Sequence, residues 1–352
     1  MISSQGQPTV DGECSSRMMP RIRVQSEHET LLLECGFDET VLSAALRAGV
    51  GVPYECCSGI CGTCRFEIVA GEVRSQWPDA PGLGPRDRRL HRQLACQSRP
   101  LSDCVIRLRL DDRYIPAIKP RRMTGALRSI EPVTRDIRRV TISTGCSAEY
   151  LPGQFVLFHL AGVASPRAYS MSNGPNGEGA WEFYIKQIPG GEFTGALFNK
   201  TAAGAPLELE GPYGMAYLRR TSDRPVLCIA GGSGISPMLS IARALARDRS
   251  ARPLHFYIGG RAPGDVSSLV SIVEAACGAR TIHVGAAVSD AELAAEWNGE
   301  FGPIHALVER DLAARLKDFD IYLAGPPPMV QACLAMLSRC EVAADRVHYD
   351  AY

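Results

Sequence analysis

Cys56, Cys61 and Cys64 stand together in the stretch Tyr54-Glu55-Cys56-Cys57-Ser58-Gly59-Ile60-Cys61-Gly62-Thr63-Cys64, and Cys96 follows farther along. The spacing C-x4-C-x2-C…C is that of a plant-type [2Fe–2S] centre, whose two irons and two bridging sulfides need four thiolates on one compact loop system. Gly59 and Gly62 let such a loop curl tightly and aim its amides at the sulfides. A zinc site would pair the close C-x2-C with a second close pair, which is missing. Cys57 sits beside a ligand, but using it would change the first spacing, so it is read as a non-ligand. A centre of this kind takes one electron at a time, which raises the question of what feeds it.

Two further sets of residues have chemistry that answers this. Arg167-Ala168-Tyr169-Ser170 suits a flavin: an aromatic to cover the isoalloxazine, a hydroxyl near N5 and a cation for phosphate. Downstream, Gly190 and Gly191, with Thr194 expected as the N-cap of a short helix, form a seat for a pyrophosphate. The second set is Gly231-Gly232-Ser233-Gly234, joining an apolar strand to a helix, where glycines permit close approach of a dinucleotide. Pro237 departs from the full G-x-G-x-x-G fingerprint but is tolerated in a first helical turn. Gly325-Pro326 makes another strand-to-helix turn, where ligands of open α/β sheets collect. The second strand of that region ends at Arg261 with Asp265 nearby, whereas a 2′-phosphate usually needs several basic side chains there, so NADH is the expected donor.

The elements that must position these residues divide the 352-residue chain into several units. Residues 1–21 read as a flexible extension without a signal-peptide pattern. Residues 22–112 show a hairpin over 21–35, a helix over 39–48, and strands at 65–69 and 105–110, which fits a β-grasp ferredoxin. Residues 113–122 read as a linker. Residues 123–222 carry short strands between Gly/Pro turns and fit a small antiparallel β-barrel. Residues 223–352 alternate strands (226–230, 254–258, 281–286, 320–324) with helices, which predicts a doubly wound parallel sheet binding a nicotinamide. The fold class is thus multidomain, α+β followed by α/β. Net charge is zero and no apolar run approaches a membrane span, so neither nucleic acid nor membrane is the expected partner. The 13 cysteines are odd in number and scattered, which fits free thiols in a reducing cytoplasm rather than a disulfide scaffold.

In motif order the chain resembles the ferredoxin–NADH reductase components of bacterial multicomponent aromatic oxygenases. Residues 41–48, the cysteine loop and Trp77–Leu83 resemble toluene monooxygenase reductases. Asp136–Arg139 and Gly211–Arg219 resemble naphthalene dioxygenase reductases. The resemblance implies a [2Fe–2S] cluster, FAD and NADH as cofactors, with the β-barrel as the FAD-binding domain. It implies FAD contacts from Arg167, Tyr169 and Ser170, phosphate contacts near Gly191 and Thr194, and a nicotinamide dinucleotide beside Gly232, Ser233 and Gly234. At the end of the sequence, apart from the resemblance, Asp350 is expected near the flavin N5 and Tyr352 over the flavin as a shield. Relatives commonly carry Cys where this chain has Ala324. The expected activity is a relay from NADH to FAD to the cluster, and then to a di-iron or Rieske oxygenase or its ferredoxin, for hydroxylation or dihydroxylation of an aromatic or related hydrophobic substrate. The alternatives are a self-contained flavin reductase, against which the cluster loop argues, and a cluster-based redox sensor, against which the flavin and nicotinamide motifs argue.

Overall fold

The computed structural model describes residues 19–278, 281–290, 292 and 297–351. The expected extension lies outside these residues up to position 18.

The first unit begins with the antiparallel pair β1 (Arg21–Gln25) and β2 (Thr30–Glu34), followed by α1 (Val41–Ala48). Helix α1 starts where the Thr40 side chain accepts from the Ser43 amide at 3.1 Å and stops at Gly49, which takes φ 84°. Its apolar positions Val41, Leu42, Ala45 and Leu46 are buried against the sheet. Then come β3 (Arg65–Ala70), β4 (Val73–Ser75), α2 (Pro85–Arg89), β5 (Arg92–Leu94), β6 (Ser98–Pro100) and β7 (Cys104–Leu108). The main sheet has the order β2-β1-β7-β3-β5, with β1 and β7 parallel and α1 lying across it, the β-grasp arrangement.

The second unit is built from β8 (Arg121–Pro132), β9 (Ile137–Thr144), β10 (Phe155–His159), β11 (Arg167–Ser170), β12 (Ala180–Lys186), α3 (Glu192–Asn199) and β13 (Pro206–Tyr213). Its six strands run β11-β10-β13-β8-β9-β12, all antiparallel. The Ser172 amide donates to the Glu182 carbonyl at 2.8 Å, which draws the two outer strands together and nearly closes a barrel. Trp181, Phe183, Phe158 and Tyr150 fill its interior.

The third unit holds β14 (Val226–Gly231), α4 (Ile235–Arg247), β15 (Leu254–Gly260), α5 (Pro263–Cys277), β16 (Ile282–Val288), β17 (Glu300–Phe301), α6 (Ile304–Leu312), β18 (Asp320–Gly325), α7 (Pro327–Arg339) and β19 (Val347–Ala351). The sheet order is β17-β16-β15-β14-β18-β19, and every pairing is parallel. Alternate residues of β14 serve opposite faces: Val226, Cys228 and Ala230 join α4 and α5, while Leu227 and Ile229 join α6 and α7. The strand order reverses between β14 and β18, so a crevice opens at their carboxyl ends.

Helix α4 fastens the barrel to this sheet. Ser236, Ser240 and Arg243 share one helix face. Their side chains donate to the carbonyls of Ser170 (2.7 Å), Asn173 (2.7 Å) and Ser172 (3.0 Å). The barrel also shares apolar packing with the first unit, because Phe155, Leu157 and Tyr213 join the core that contains Tyr54, Cys57 and Leu46. Among the described residues, no helix is long and apolar enough to cross a membrane.

Candidate functional site

The cysteine loop connects α1 to β3. Cys57, Gly59 and Gly62 adopt φ of 51°, 85° and 75°, so the loop turns on itself three times. At Gly62 a Cβ would lie 2.4 Å from the Gly82 carbonyl oxygen, so close backbone packing as well as φ demands glycine. The sulfurs of Cys56 and Cys61 lie 3.3 Å apart. The thiols of Cys64 and Cys96 are hydrogen-bonded to each other, so the four gather as two pairs. Amides point at them: Ser58 and Cys61 donate to Cys56 at 3.4 and 3.3 Å, and Thr63 donates to Cys61 at 3.4 Å. The contact with Cys61, aided by the Ser58 and Cys61 amides, holds the Cys56 thiol well below the usual thiol range, and the contact with Cys96 lowers that of Cys64. Among the described residues, no three such side chains surround a single ion. Two thiols on each of two centres, with amides aimed at sulfur, is a donor set that fits a two-iron cluster. Cys57 is buried in the core with Tyr54 and Tyr213, close enough to feel the charge of Cys56, Cys64 and Cys61 but outside both pairs.

A cavity of about 570 Å³ opens between the barrel and the parallel sheet. Its size suits a cofactor site, for which roughly 300–1,000 Å³ is usual. Arg167, Ala168, Tyr169 and Ser170 line one side; Gly191 and Thr194 line another. Gly231, Gly232, Ser233, Gly325 and Pro326 close it at the carboxyl ends of β14 and β18. Two motifs separated by some sixty residues in the chain therefore face one space. Tyr169 packs edge-on against Phe158 with ring centroids 5.0 Å apart and leans on Phe193 at 5.7 Å, which fixes its ring at the wall. Arg167 donates to the carbonyls of Ser165 and Pro166, each at 3.1 Å, and forms no ion pair among the described residues. Gly232 has φ 55° with no atom within 4 Å of where a Cβ would stand, a bare backbone surface turned to open space. An uncompensated cation, a fixed aromatic wall and bare backbone fit a flavin dinucleotide meeting a nicotinamide dinucleotide.

Several sequence expectations are corrected by the geometry. Thr194 is not the N-cap: α3 is capped at Gly191, and Thr194 sits in its first turn, accepting from the Ile188 amide at 3.2 Å. Its hydroxyl is spent on the preceding hairpin rather than on starting the helix. Gly190 is outside the cavity lining. Gly234 is too, because it is buried where a Cβ would fall 2.1 Å from the Ala324 carbonyl oxygen, so its role is to let α4 begin against β18. Asp350 pairs in register with Ala324 on the outer strand β19 and lies where its charge reaches the Tyr54 hydroxyl of the ferredoxin unit, away from the cavity lining. Tyr352 lies outside the described residues. Sequence reading missed Tyr184, Lys186 and Ser236 on the cavity wall. The alternation Phe183 in, Tyr184 out, Ile185 in, Lys186 out was the available signal for the first two.

At the far end of the crevice, Arg261 is held by Asp136 of the barrel at 3.3 Å, and Lys186 contacts the same carboxylate at 3.2 Å. The adjacent strand β16 leads into Ser289, whose amide donates to the Gly260 carbonyl at 3.0 Å, and then Asp290. Sequence reading had not considered Asp136 or Asp290 here, since neither is near Arg261 in the chain.

Fold and site define an iron–sulfur flavoprotein reductase. Residues 24–101 match the 2Fe-2S iron-sulfur cluster binding domain, 124–217 the oxidoreductase FAD-binding domain and 228–334 the oxidoreductase NAD-binding domain. The chain is 42% identical over 322 residues to ferredoxin–NAD(P)+ reductase CarAd of Metapseudomonas resinovorans, covering 90% of this chain and 96% of that one. It is also 42% identical over 325 residues to the ferredoxin–NAD+ reductase component of the Xanthobacter autotrophicus alkene monooxygenase system, covering 90% and 97%. Among solved structures it resembles the ferredoxin reductase in carbazole 1,9a-dioxygenase, with TM-score 0.86, 40% identity and coverage of 94% and 98%. The chain belongs to the ferredoxin–NAD(P)+ reductase components of multicomponent oxygenase systems. It is an oxidoreductase that carries electrons from NAD(P)H through FAD and a [2Fe–2S] cluster to an oxygenase system.

Proposed function

We propose that this reductase uses NADH in preference to NADPH and delivers electrons to an oxygenase or its ferredoxin that acts on an aromatic or related hydrophobic substrate. The observation that carries the donor preference is the Asp136–Arg261 ion pair at 3.3 Å. Arg261 is the cation that would otherwise meet a 2′-phosphate, and Asp136, which it shares with Lys186, already engages it. The Xanthobacter relative is named for NAD+.

FAD, when bound, takes an electron pair from a nicotinamide and passes electrons singly to a cluster, which is why both groups are needed. The chain's own residues set the stage. Arg167 would neutralise the flavin phosphates, with the Gly191 and Thr194 end of α3 lining the same cavity. Tyr169 would cover the isoalloxazine, and Ser170 would help to orient it. The Ser170 carbonyl is fixed by the Ser236 hydroxyl at 2.7 Å, so the flavin edge and the dinucleotide turn keep one spacing. Gly231, Gly232 and Ser233 give the second dinucleotide close backbone approach, and Gly325 and Pro326 bound the space where the nicotinamide enters. Cys56, Cys61, Cys64 and Cys96 would hold the irons. The test is kcat/KM for the two donors. NADH is expected to lead by at least tenfold, and an advantage for NADPH would overturn the assignment.

A further inference from the structure

We propose that the outer edge of the cluster loop, Ile60 and Trp77 rimmed by the arginines of α2, is the docking surface for a small electron-accepting protein whose own face is acidic around an apolar centre. This rests on the reading that electrons leave through the cluster to a separate protein. Of the four ligand cysteines, Cys64 and Cys96 are buried whereas Cys56 and Cys61 are partly exposed, so the cluster has one open edge. The other side of the loop is covered, since Cys57 is buried in the core shared with the barrel residue Tyr213. At the open edge Ile60, which directly precedes Cys61, is 58% exposed, and Trp77 is 40% exposed. The Trp77 ring passes 3.2 Å from where a Cβ of Gly59 would stand, so the indole lies over the loop itself. An exposed aliphatic and an exposed tryptophan beside a redox centre form a natural interface core.

The rim supplies the charge. The loop over 80–84 stacks on the cluster loop through the Gly82 amide, which donates to the Gly59 carbonyl at 2.9 Å, and α2 follows at once. Arg65 donates to the Gly62 carbonyl at 2.6 Å and Arg88 to that of Pro78 at 3.2 Å, so both guanidinium groups flank the same edge. Arg86 and Arg89 are exposed and form no ion pair among the described residues. The carboxylates facing them are Asp79, paired with Arg88, and the buried Asp87, paired with Arg65 and Arg92. Glu55, the exposed acid of the loop, belongs to the same edge: it adjoins Cys56, and its charge reaches Tyr349 of β19 together with that of Cys61. Arg65, Arg86, Arg88 and Arg89 outnumber Glu55, Asp79 and Asp87, so the rim keeps a net positive charge, and complementarity selects an acidic partner face.

Rubredoxin, a small acidic one-electron carrier, and cytochrome c, a basic one, serve as probes for the cofactor-loaded reductase. Binding of each oxidised probe is measured by calorimetry without turnover, and reduction by stopped flow across ionic strength. The parent is expected to bind rubredoxin more tightly than cytochrome c and to reduce it more slowly as salt rises. The pair Arg86→Glu and Arg89→Glu together should weaken rubredoxin binding about tenfold or more and remove that salt dependence, with visible spectrum and NADH bleaching unchanged. Ile60→Asn should weaken binding at high salt as well. Tighter binding of cytochrome c, or charge reversal without effect on rubredoxin, would overturn the proposal. Failure of NADH to bleach the cluster would instead strike the relay reading and leave the binding result intact.

Discussion

The seam between the ferredoxin unit and the barrel turns on one buried carboxylate, and its removal has a calculable cost. Glu210 of β13 is 7% exposed. It accepts hydrogen bonds from the Ser43 hydroxyl of α1 and the Tyr213 hydroxyl at 2.7 Å, pairs with His159 at 2.9 Å and with Arg122 at 3.0 Å. Burial opposes ionisation, but the hydrogen bonds from His159, Ser43 and Tyr213 outweigh it and hold this carboxyl well below the usual range. Breaking a fully buried pair costs about 3–5 kcal/mol, and Arg122 is one-third exposed, so about 2–3 kcal/mol is expected for Glu210→Gln. Ser43 and Tyr213, whose oxygens lie 2.8 Å apart, can still bond each other, which limits the loss from unpaired hydroxyls. The deficit is read from urea unfolding at pH 7. Because the folded carboxyl titrates below its unfolded value, the stabilisation is full above the unfolded pKa of about 4.3 and is lost as pH falls below it. The gap between parent and variant should therefore shrink in acid. Ser43 is one of the contacts that cross the seam, beside the Gly214 amide on the Tyr54 hydroxyl and Arg122 on the Asp38 carbonyl, so the variant should also slow reduction of the cluster by the flavin while leaving flavin reduction by NADH intact. Unfolding within 0.5 kcal/mol of the parent, or a gap that widens in acid, would refute the reasoning.

Three other substitutions separate the parts of the relay. Cys61→Ser exchanges a soft thiolate for a poor iron ligand, so NADH–ferricyanide activity should persist while cytochrome c reduction is mostly abolished; survival of both would remove Cys61 from the ligand set. Arg167→Ala removes charge-assisted hydrogen bonds worth about 1.5–3 kcal/mol each, and the protein should purify depleted in FAD with its cluster bands intact. Gly234→Ala drives a Cβ to 2.1 Å from the Ala324 carbonyl oxygen, so α4 must shift away from β18. Weaker NADH binding and lower thermal stability should appear together, and a normal KM with normal Tm would show that the turn absorbs the methyl freely.

The sequence alone determined what is local. Four cysteines at a metal-binding spacing, glycines where a loop must turn left-handed, and strand and helix periodicities need only near neighbours to be read. For that reason the cluster loop, the Arg167–Ser170 strand and the glycine turn at Gly231–Ser233 were legible before any coordinates. The tertiary structure decided what depends on partners far along the chain. Gly234 looked like a ligand contact, yet it is a packing glycine because β18 returns beside β14 some ninety residues later. Thr194 looked like a cap, yet its hydroxyl serves the hairpin before α3. Tyr184 and Lys186 reach the cavity because the pleat of β12 turns alternate residues outward, and Ser236 does because α4 docks on the barrel. Asp136 finds Arg261, and Ser43 finds Glu210, only after separate units meet. Such pairings carry no signature in the residues on either side of them, because a carboxylate's partner is set by sheet order and domain seating rather than by spacing.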